Sequence, residues 1–177
     1  MDAERRKRTL ACLGLGALVG VGLVFARGPT AGTAVQAFGL AFVIAGAISD
    51  ALWGIIPNSL SLTGLAGVLL ASVFLPEVGS GEVVLGAIVG GGTLLLLGLG
   101  MSRLLRREAL GGGDVKLMAL IGSVLGWEKV FPVLFWAAVL ALAWIACLFL
   151  FRGGSLRRSV HFGPWMGLAA VLAMVLR

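Results

Sequence analysis

Ionisable side chains are scarce in this chain, and several kinds of enzyme site are excluded by what is missing. Only 12% of the 177 residues are charged, eight are acidic, and His161 is the single histidine. One histidine and no HExxH motif leave a zinc protease without its ligands. No G-x-S-x-G context is present either, which argues against a serine protease.

Cysteine is equally rare. Cys12 and Cys147 lie far apart, each inside an apolar segment. This spacing indicates neither a disulfide framework nor a zinc cluster. We therefore expect two buried structural thiols.

Apolar residues dominate what remains. The chain is 59% hydrophobic, more than a soluble domain of this length requires, so a bilayer must be part of its solvent. We predict an all-α fold, a polytopic transmembrane bundle of six or seven helices forming one domain over residues 1–177. The first apolar run is expected to be a retained helix rather than a cleaved signal.

The predicted helices follow the apolar segments 10–26, 33–49, 60–75, 83–104, 115–126, 130–151 and 164–176. Crossing hydrocarbon takes about 20 residues, which the fourth and sixth segments satisfy comfortably. The fifth and seventh segments are short, and shortened spans, re-entrant pieces and helices lying partly inside the bundle are all compatible with them.

The net charge of +6 is distributed as short basic clusters between apolar segments. This pattern favours the positive-inside rule and contact with lipid, and it does not favour nucleic acid. With the N-terminus in the cytoplasm, most basic residues fall in inside loops: Arg5, Arg6, Lys7, Arg8, Arg103, Arg106, Arg107, Lys116, Arg152, Arg157 and Arg158. Only Arg27, Lys129 and Arg177 fall elsewhere. We expect a multi-pass protein of the cytoplasmic (inner) membrane of a prokaryote.

Glycine is frequent, with 28 residues, and it lies within the predicted helices rather than in linkers. Two pairs have the small-xxx-small spacing, Gly16 with Gly20 and Gly86 with Gly90. Such pairs let helix backbones approach each other closely in a membrane.

Two aspartates stand at the ends of apolar segments that otherwise avoid acidic residues. By the orientation above, Asp50 and Asp114 lie on the same cytoplasmic side although they are distant in sequence. An ionisable group at the edge of hydrocarbon is unfavourable enough that its default explanation is functional. The site is therefore expected to face the cytoplasm.

Each aspartate also has a structural explanation. Asp114 follows three glycines and precedes an apolar run, which is the pattern of a helix N-cap. Asp50 is predicted in the last turn of a helix, where the macrodipole disfavours a negative charge, but its side chain can extend to the interface. The turn Pro57-Asn58 is expected to shape the site by directing Asp50, with Asn58 capping the next helix.

Two neighbouring carboxyls share one proton, as aspartyl hydrolysis of a peptide bond requires. The ionised carboxyl takes a proton from the attacking water, and the protonated one polarises the carbonyl and helps to protonate the leaving amine. This chemistry requires no metal and no cofactor. The helix ends predict that Asp114 is the base and Asp50 the acid.

The residues around Asp114 are expected to bind substrate or shape the site. Gly111, Gly112 and Gly113 leave no side chains in the way of an extended substrate backbone. Lys116 lies two positions after Asp114 and points to another side of a helix. We expect it to orient the loop by binding backbone carbonyls or lipid phosphate, or simply to anchor the cytoplasmic end.

The motifs resemble those of type IV prepilin peptidases and archaeal preflagellin peptidases. The resemblance rests on Asp50-x5-Ile56-Pro57-Asn58 and Gly111-Gly112-Gly113-Asp114-Val115-Lys116, on the run 120–127, and on Phe162-Gly163-Pro164-Trp165. His161 stands where proline is expected. Gly111 to Asp114 form the GxGD pattern, which presenilin-like proteases share. The second motif, Ile56-Pro57-Asn58, distinguishes the prepilin peptidases from the presenilin-like proteases.

The resemblance implies that Asp50 and Asp114 are the catalytic pair of a peptidase. Its substrates would be the leader peptides of pilin, pseudopilin or archaellin precursors, cut at the cytoplasmic membrane face. The larger bifunctional members carry paired CxxC motifs and methylate the new N-terminus. This chain has no CxxC, so we expect peptidase activity without methyltransferase activity.

Two other classes of function remain open from the sequence. A small proton-coupled transporter would use Asp50 and Asp114 as a proton-binding pair. A non-enzymatic subunit of a secretion machine would use them as helix caps. The sequence does not determine the oligomeric state.

Overall fold

The computed structural model describes residues 2–106, 110–152 and 161–175, which form an all-helical bundle. The seven α-helices are α1 (Asp2–Arg27), α2 (Ala31–Trp53), α3 (Asn58–Phe74), α4 (Ser80–Leu105), α5 (Gly112–Leu125), α6 (Val130–Arg152) and α7 (Gly163–Val175). Single 3-10 turns, Pro76–Val78 and Trp127–Lys129, precede α4 and α6. Each predicted apolar segment forms one helix, and no strand occurs in these three ranges, which confirms the predicted fold class. Arg107, Arg157, Arg158 and Arg177 lie outside the described residues.

The direction of packing brings four helix ends together. Gly39 of α2 lies beside Val124 of α5, whereas Gly46 lies beside Leu117, so these two helices run in opposite directions. The α2 helix is also antiparallel to α3 and α7 by the same kind of contact. The C-terminal end of α2 therefore meets the N-terminal ends of α3, α5 and α7.

The short helix α5 forms the centre of the bundle. It packs against α2, α3, α4 and α7, most extensively against α4. Its residues Leu117, Met118, Leu120 and Ile121 are almost completely buried. Van der Waals packing of these side chains stabilises the interior of a bundle whose solvent is lipid, and it fixes the N-terminal end of α5 relative to α2.

The predicted close approach at both glycine pairs is confirmed. A Cβ at Gly16 or Gly20 would overlap the backbone of α2, and a Cβ at Gly86 would overlap the Gly122 carbonyl of α5. A Cβ at Gly90 would likewise overlap the Met118 carbonyl. Small residues therefore set the α1–α2 and α4–α5 distances.

Among the described residues, three helices are long and apolar enough to cross a membrane by length and composition. They are Ala31–Trp53, Ser80–Leu105 and Trp127–Leu150, with 23, 26 and 24 residues. The α5 and α7 helices, with 14 and 13 residues, are only about 20 Å long at 1.5 Å per residue. Neither is long enough to cross about 30 Å of hydrocarbon alone.

The outer surface of the bundle is strongly apolar. Leu142 and Leu150 of α6 are 67% and 79% exposed, as expected of side chains that face lipid. Cys12 is buried as predicted, but the prediction is wrong for Cys147, which is exposed on α6. The α6 helix is apolar on all sides, so hydrophobicity did not reveal which side faces inward.

Candidate active site

Asp50 lies in the last turn of α2, only 6% exposed. The helix ends because Gly54 adopts a left-handed conformation with φ +65°, and the Gly54 N–H donates to the Asp50 carbonyl at 2.8 Å. The Ser49 hydroxyl donates to the Ile55 carbonyl at 2.9 Å and holds the following turn. Asp50 is therefore fixed by local backbone structure and does not extend to the surface.

Asp114 is the third residue of α5, and Gly111 occupies the N-cap position. The Asp114 carboxyl accepts a hydrogen bond from the Gly111 backbone N–H. Asp114 thus lies three residues after the N-cap, and the N-cap explanation is wrong. Its carboxyl does bond to the backbone N–H of the N-cap residue.

The two predicted aspartates converge at the same end of the bundle. Ile56 packs between their segments, since a Cβ built on Gly113 would lie 3.1 Å from the Ile56 Cβ. Burial raises the pKa of Asp114 to about 6, and the nearby Asp50 carboxyl adds to this rise. Asp114 belongs to the short helix α5, which is not one of the three long apolar helices.

The three glycines before Asp114 differ in the space around them. Gly112 has open space where a side chain would be, Gly111 lies near the Asp114 carboxyl, and Gly113 lies against Ile56. Gly113 is small for a packing reason that the sequence alone did not indicate.

Asn58 does not cap α3 as predicted. Pro57 occupies the N-cap position without a side-chain hydrogen bond, and Asn58 is the first helical residue. Its Oδ1 instead accepts a 2.7 Å hydrogen bond from Lys116 Nζ. Lys116 therefore joins α5 to α3.

The start of α7 also lies at the site, which the sequence did not predict. The Gly163 N–H, at the start of α7, donates to Asp50 Oδ2 at 2.9 Å. His161 lies beside Gly54, where an added Cβ would overlap its Nε2. The motif Phe162-Gly163-Pro164 was visible in the sequence, but a backbone donor leaves no side-chain signal of its partner.

Metal-binding groups are not assembled in the described ranges. No set of three or more His, Cys, Asp or Glu side chains there has the arrangement needed to hold a metal ion. The site is built from the carboxyls of Asp50 and Asp114, backbone N–H groups and the Asn58 amide. Two basic side chains, His161 and Lys116, lie around them.

The chain belongs to the type IV leader peptidase family, which matches residues 37–146 and so includes both aspartates. The family resemblance found in the motifs is confirmed. Leader peptidase HopD of Salmonella typhimurium is 35% identical over 127 residues, covering 71% of this chain and 81% of that protein.

Two longer relatives are named prepilin leader peptidase/N-methyltransferase. The protein from Dickeya chrysanthemi is 32% identical over 155 residues, 88% of this chain and 54% of its own length. The protein from Burkholderia pseudomallei is 36% identical over 142 residues, 78% of this chain and 45% of its own length. The chain spans about half the length of these two relatives. No solved structure matches it significantly.

Proposed function

We propose that this protein is a membrane-embedded aspartyl endopeptidase that removes the leader peptide of prepilin-like precursors, with Asp50 and Asp114 as its catalytic pair. The observation that carries the proposal is the convergence of these two carboxyls, close enough for Asp50 to raise the pKa of Asp114. The family and the printed names of the relatives support the substrate class.

The chemistry follows from one proton shared by two carboxyls. The ionised carboxyl accepts a proton from water while the water oxygen bonds to the scissile carbonyl carbon. The protonated carboxyl donates its proton to the carbonyl oxygen, giving a neutral tetrahedral diol. Return of a proton to the carboxylate re-forms the carbonyl, and the amine leaves with the proton first taken from water.

The neighbours of the pair would position the substrate. Open space at Gly112 supports the approach of an extended leader peptide beside Asp114. The bond between Lys116 and Asn58 would hold the ends of α5 and α3 at a fixed separation around Ile56-Pro57. Each cleavage would thus use a site at which the C-terminal end of α2 meets the N-terminal ends of α3 and α5.

The distribution of charge supports a site at the cytoplasmic face of the inner membrane. Arg103 and Arg106, at the end of α4, and Lys116 belong to the end of the bundle that contains the aspartates. Glu77 and Glu128 belong to the opposite end. A basic end predicts the cytoplasmic side, where the substrate's leader and the lipid headgroups would meet the site.

Nothing observed favours the alternative of a proton-coupled transporter. A proton path would require ionisable groups at successive depths, whereas Asp50 and Asp114 lie together at one end. Methylation is not part of the proposal, since the 177 residues contain no CxxC motif.

Cleavage of a tagged prepilin-like precursor co-expressed with the protein tests the proposal. The protein should convert the precursor to the shorter form, and Asp50→Asn or Asp114→Asn should each reduce conversion to a small residual level. Glu128→Gln, an acid-to-amide change at the opposite end of the bundle, should cleave normally. Full cleavage by either aspartate variant would contradict the proposal, and proton flux without cleavage would support the transporter instead.

A further inference from the structure

The first turn of α7 has one backbone donor that is directed at another helix. The N–H groups of Trp165 and Met166 both bond to the Phe162 carbonyl, at 3.1 and 3.2 Å. Pro164 has no N–H. The Gly163 N–H is therefore the donor left in this turn, and it bonds to Asp50 Oδ2.

Gly163 also leaves no space for a larger residue. A Cβ there would lie 2.7 Å from Asp50 Oδ2 and 2.9 Å from the Asp50 Cβ. One turn later, a Cβ at Gly167 would overlap the Ala47 side chain of α2. At its other end, α7 is bound through the Arg27 guanidinium, which donates to the Met174 carbonyl. The start of α7 is thus fixed tightly against the Asp50 carboxyl.

We infer that Gly163 is a positioning residue of the peptidase, whose backbone N–H orients the Asp50 carboxyl and keeps it the ionised member of the pair. The inference rests on the proposed function. A hydrogen bond donated to a carboxylate favours the charged form, and the positive end of the α7 dipole acts in the same direction. Asp50 is then the base and Asp114 the acid, the reverse of the roles expected from α2 and α5 alone.

Burial of the Asp50 carboxyl disfavours its ionised form, and the Gly163 N–H and the His161 side chain act against this effect of burial. Asp50 in turn acts on Asp114 of α5, and Lys116 is held by Asn58. The Asp114 carboxyl accepts a hydrogen bond from the Gly111 backbone N–H, at the start of its own helix. Its carboxyl nevertheless retains its proton up to a higher pH than an ordinary aspartate, as an acid should.

The two assignments predict different pH profiles when the Gly163 bond is weakened. The active form carries one proton on the pair. If Asp50 is ionised in that form, weakening the bond destabilises the active and doubly ionised forms equally, and only the acidic limb moves, to higher pH. If Asp50 is protonated in the active form, only the doubly ionised form is destabilised, and the alkaline limb moves instead.

The test is Gly163→Ala, with Gly81→Ala as the matched control. Gly81 lies in the first turn of α4 with open space at its Cβ position. Cleavage of a prepilin-like peptide by the purified full chain is measured between pH 4.5 and 9. For Gly163→Ala we expect kcat to fall at least tenfold, KM to change less than twofold, and the acidic limb to rise by about one pH unit. Movement of the alkaline limb, or an unchanged profile, overturns the inference.

A second comparison does not depend on Gly163→Ala folding. An asparagine can donate an N–H to the carbonyl oxygen but cannot accept a proton from water. Asp114→Asn should therefore retain at least tenfold more residual activity than Asp50→Asn, and equal or reversed activities overturn the inference. If both variants kept full activity, the proposed function itself would fail. Loss of activity in both aspartate variants, together with a shifted alkaline limb in Gly163→Ala, overturns only the role of Gly163.

Discussion

Lys116 Nζ lies 2.7 Å from Asn58 Oδ1, and this hydrogen bond joins the N-terminal part of α5 to the first residue of α3. The two residues belong to the two motifs that carry the aspartates. Because α2 leads into α3 through a short turn, a bond at Asn58 also restrains the segment that contains Asp50. The pair is partly open to solvent, so its contribution should be modest.

We predict that Lys116→Met and Asn58→Ala each reduce kcat/KM by about fivefold, the effect of a bond worth about 1 kcal/mol. The double variant should lose no more than either single variant, because both changes remove the same bond. Lys129→Met, at the opposite end of the bundle, should have no effect. Additive losses in the double variant would show that the two residues act independently.

The contact between α4 and α5 gives a prediction about stability. A Cβ at Gly86 would overlap the Gly122 carbonyl, so Gly86→Ala should force the helices apart and destabilise the bundle by about 2 kcal/mol or more. Gly92→Ala, on the same helix, meets open space and should be neutral or slightly stabilising. Thermal unfolding of the purified proteins in one detergent checks both. Equal unfolding temperatures would contradict the packing account.

Asp114 gives a prediction about the pH dependence of stability. Its pKa is raised from 3.8 to about 6, so the folded protein binds the proton more tightly than the unfolded chain. The contribution of Asp114 to the free energy of unfolding is therefore fully present below pH 4, and it is lost as the pH rises through about 6. Asp114→Asn removes this effect and should stabilise the protein by about 1–2 kcal/mol at pH 7.5, after allowance for partial exposure.

At pH 4 the same substitution should change the stability very little, because Asp114 is protonated there. Unfolding temperatures at the two pH values provide the measurement, with Glu128→Gln as a control for a lost surface charge. A variant that is less stable than the parent at pH 7.5 would show that ionised Asp114 is stabilised by the fold.

The helices could be predicted from the sequence because long apolar segments in a bilayer have few structural options. Asp50 and Asp114 were also found from the sequence, since acidic residues next to apolar runs are rare and require an explanation. The two aspartates can converge only if the C-terminal end of α2 and the N-terminal end of α5 lie on the same side of the membrane. The orientation predicted from the basic clusters supplied that condition.

The contacts around the aspartates could not be predicted for two physical reasons. Asn58 is a good capping residue, but Lys116 lies next to it in space, and a charged donor forms the stronger hydrogen bond. Gly163 acts through its backbone, which every residue other than proline has, so its type indicated only a need for small size. The packing of α5 against Ile56, and of the start of α7 against Gly54 and Asp50, depends on how each helix is rotated about its axis. Apolar periodicity specifies this rotation poorly in a bundle that faces lipid.

The convergence of Asp50 and Asp114 is the central claim, and cross-linking tests it most directly. Asp50→Cys and Asp114→Cys are introduced together into a Cys12→Ala, Cys147→Ser background, and oxidation is followed by labelling with a maleimide polymer and gel electrophoresis. The account predicts that oxidation protects both thiols, while Asp50→Cys paired with Glu128→Cys stays fully labelled. Full labelling of the Asp50→Cys, Asp114→Cys pair after oxidation would contradict the account.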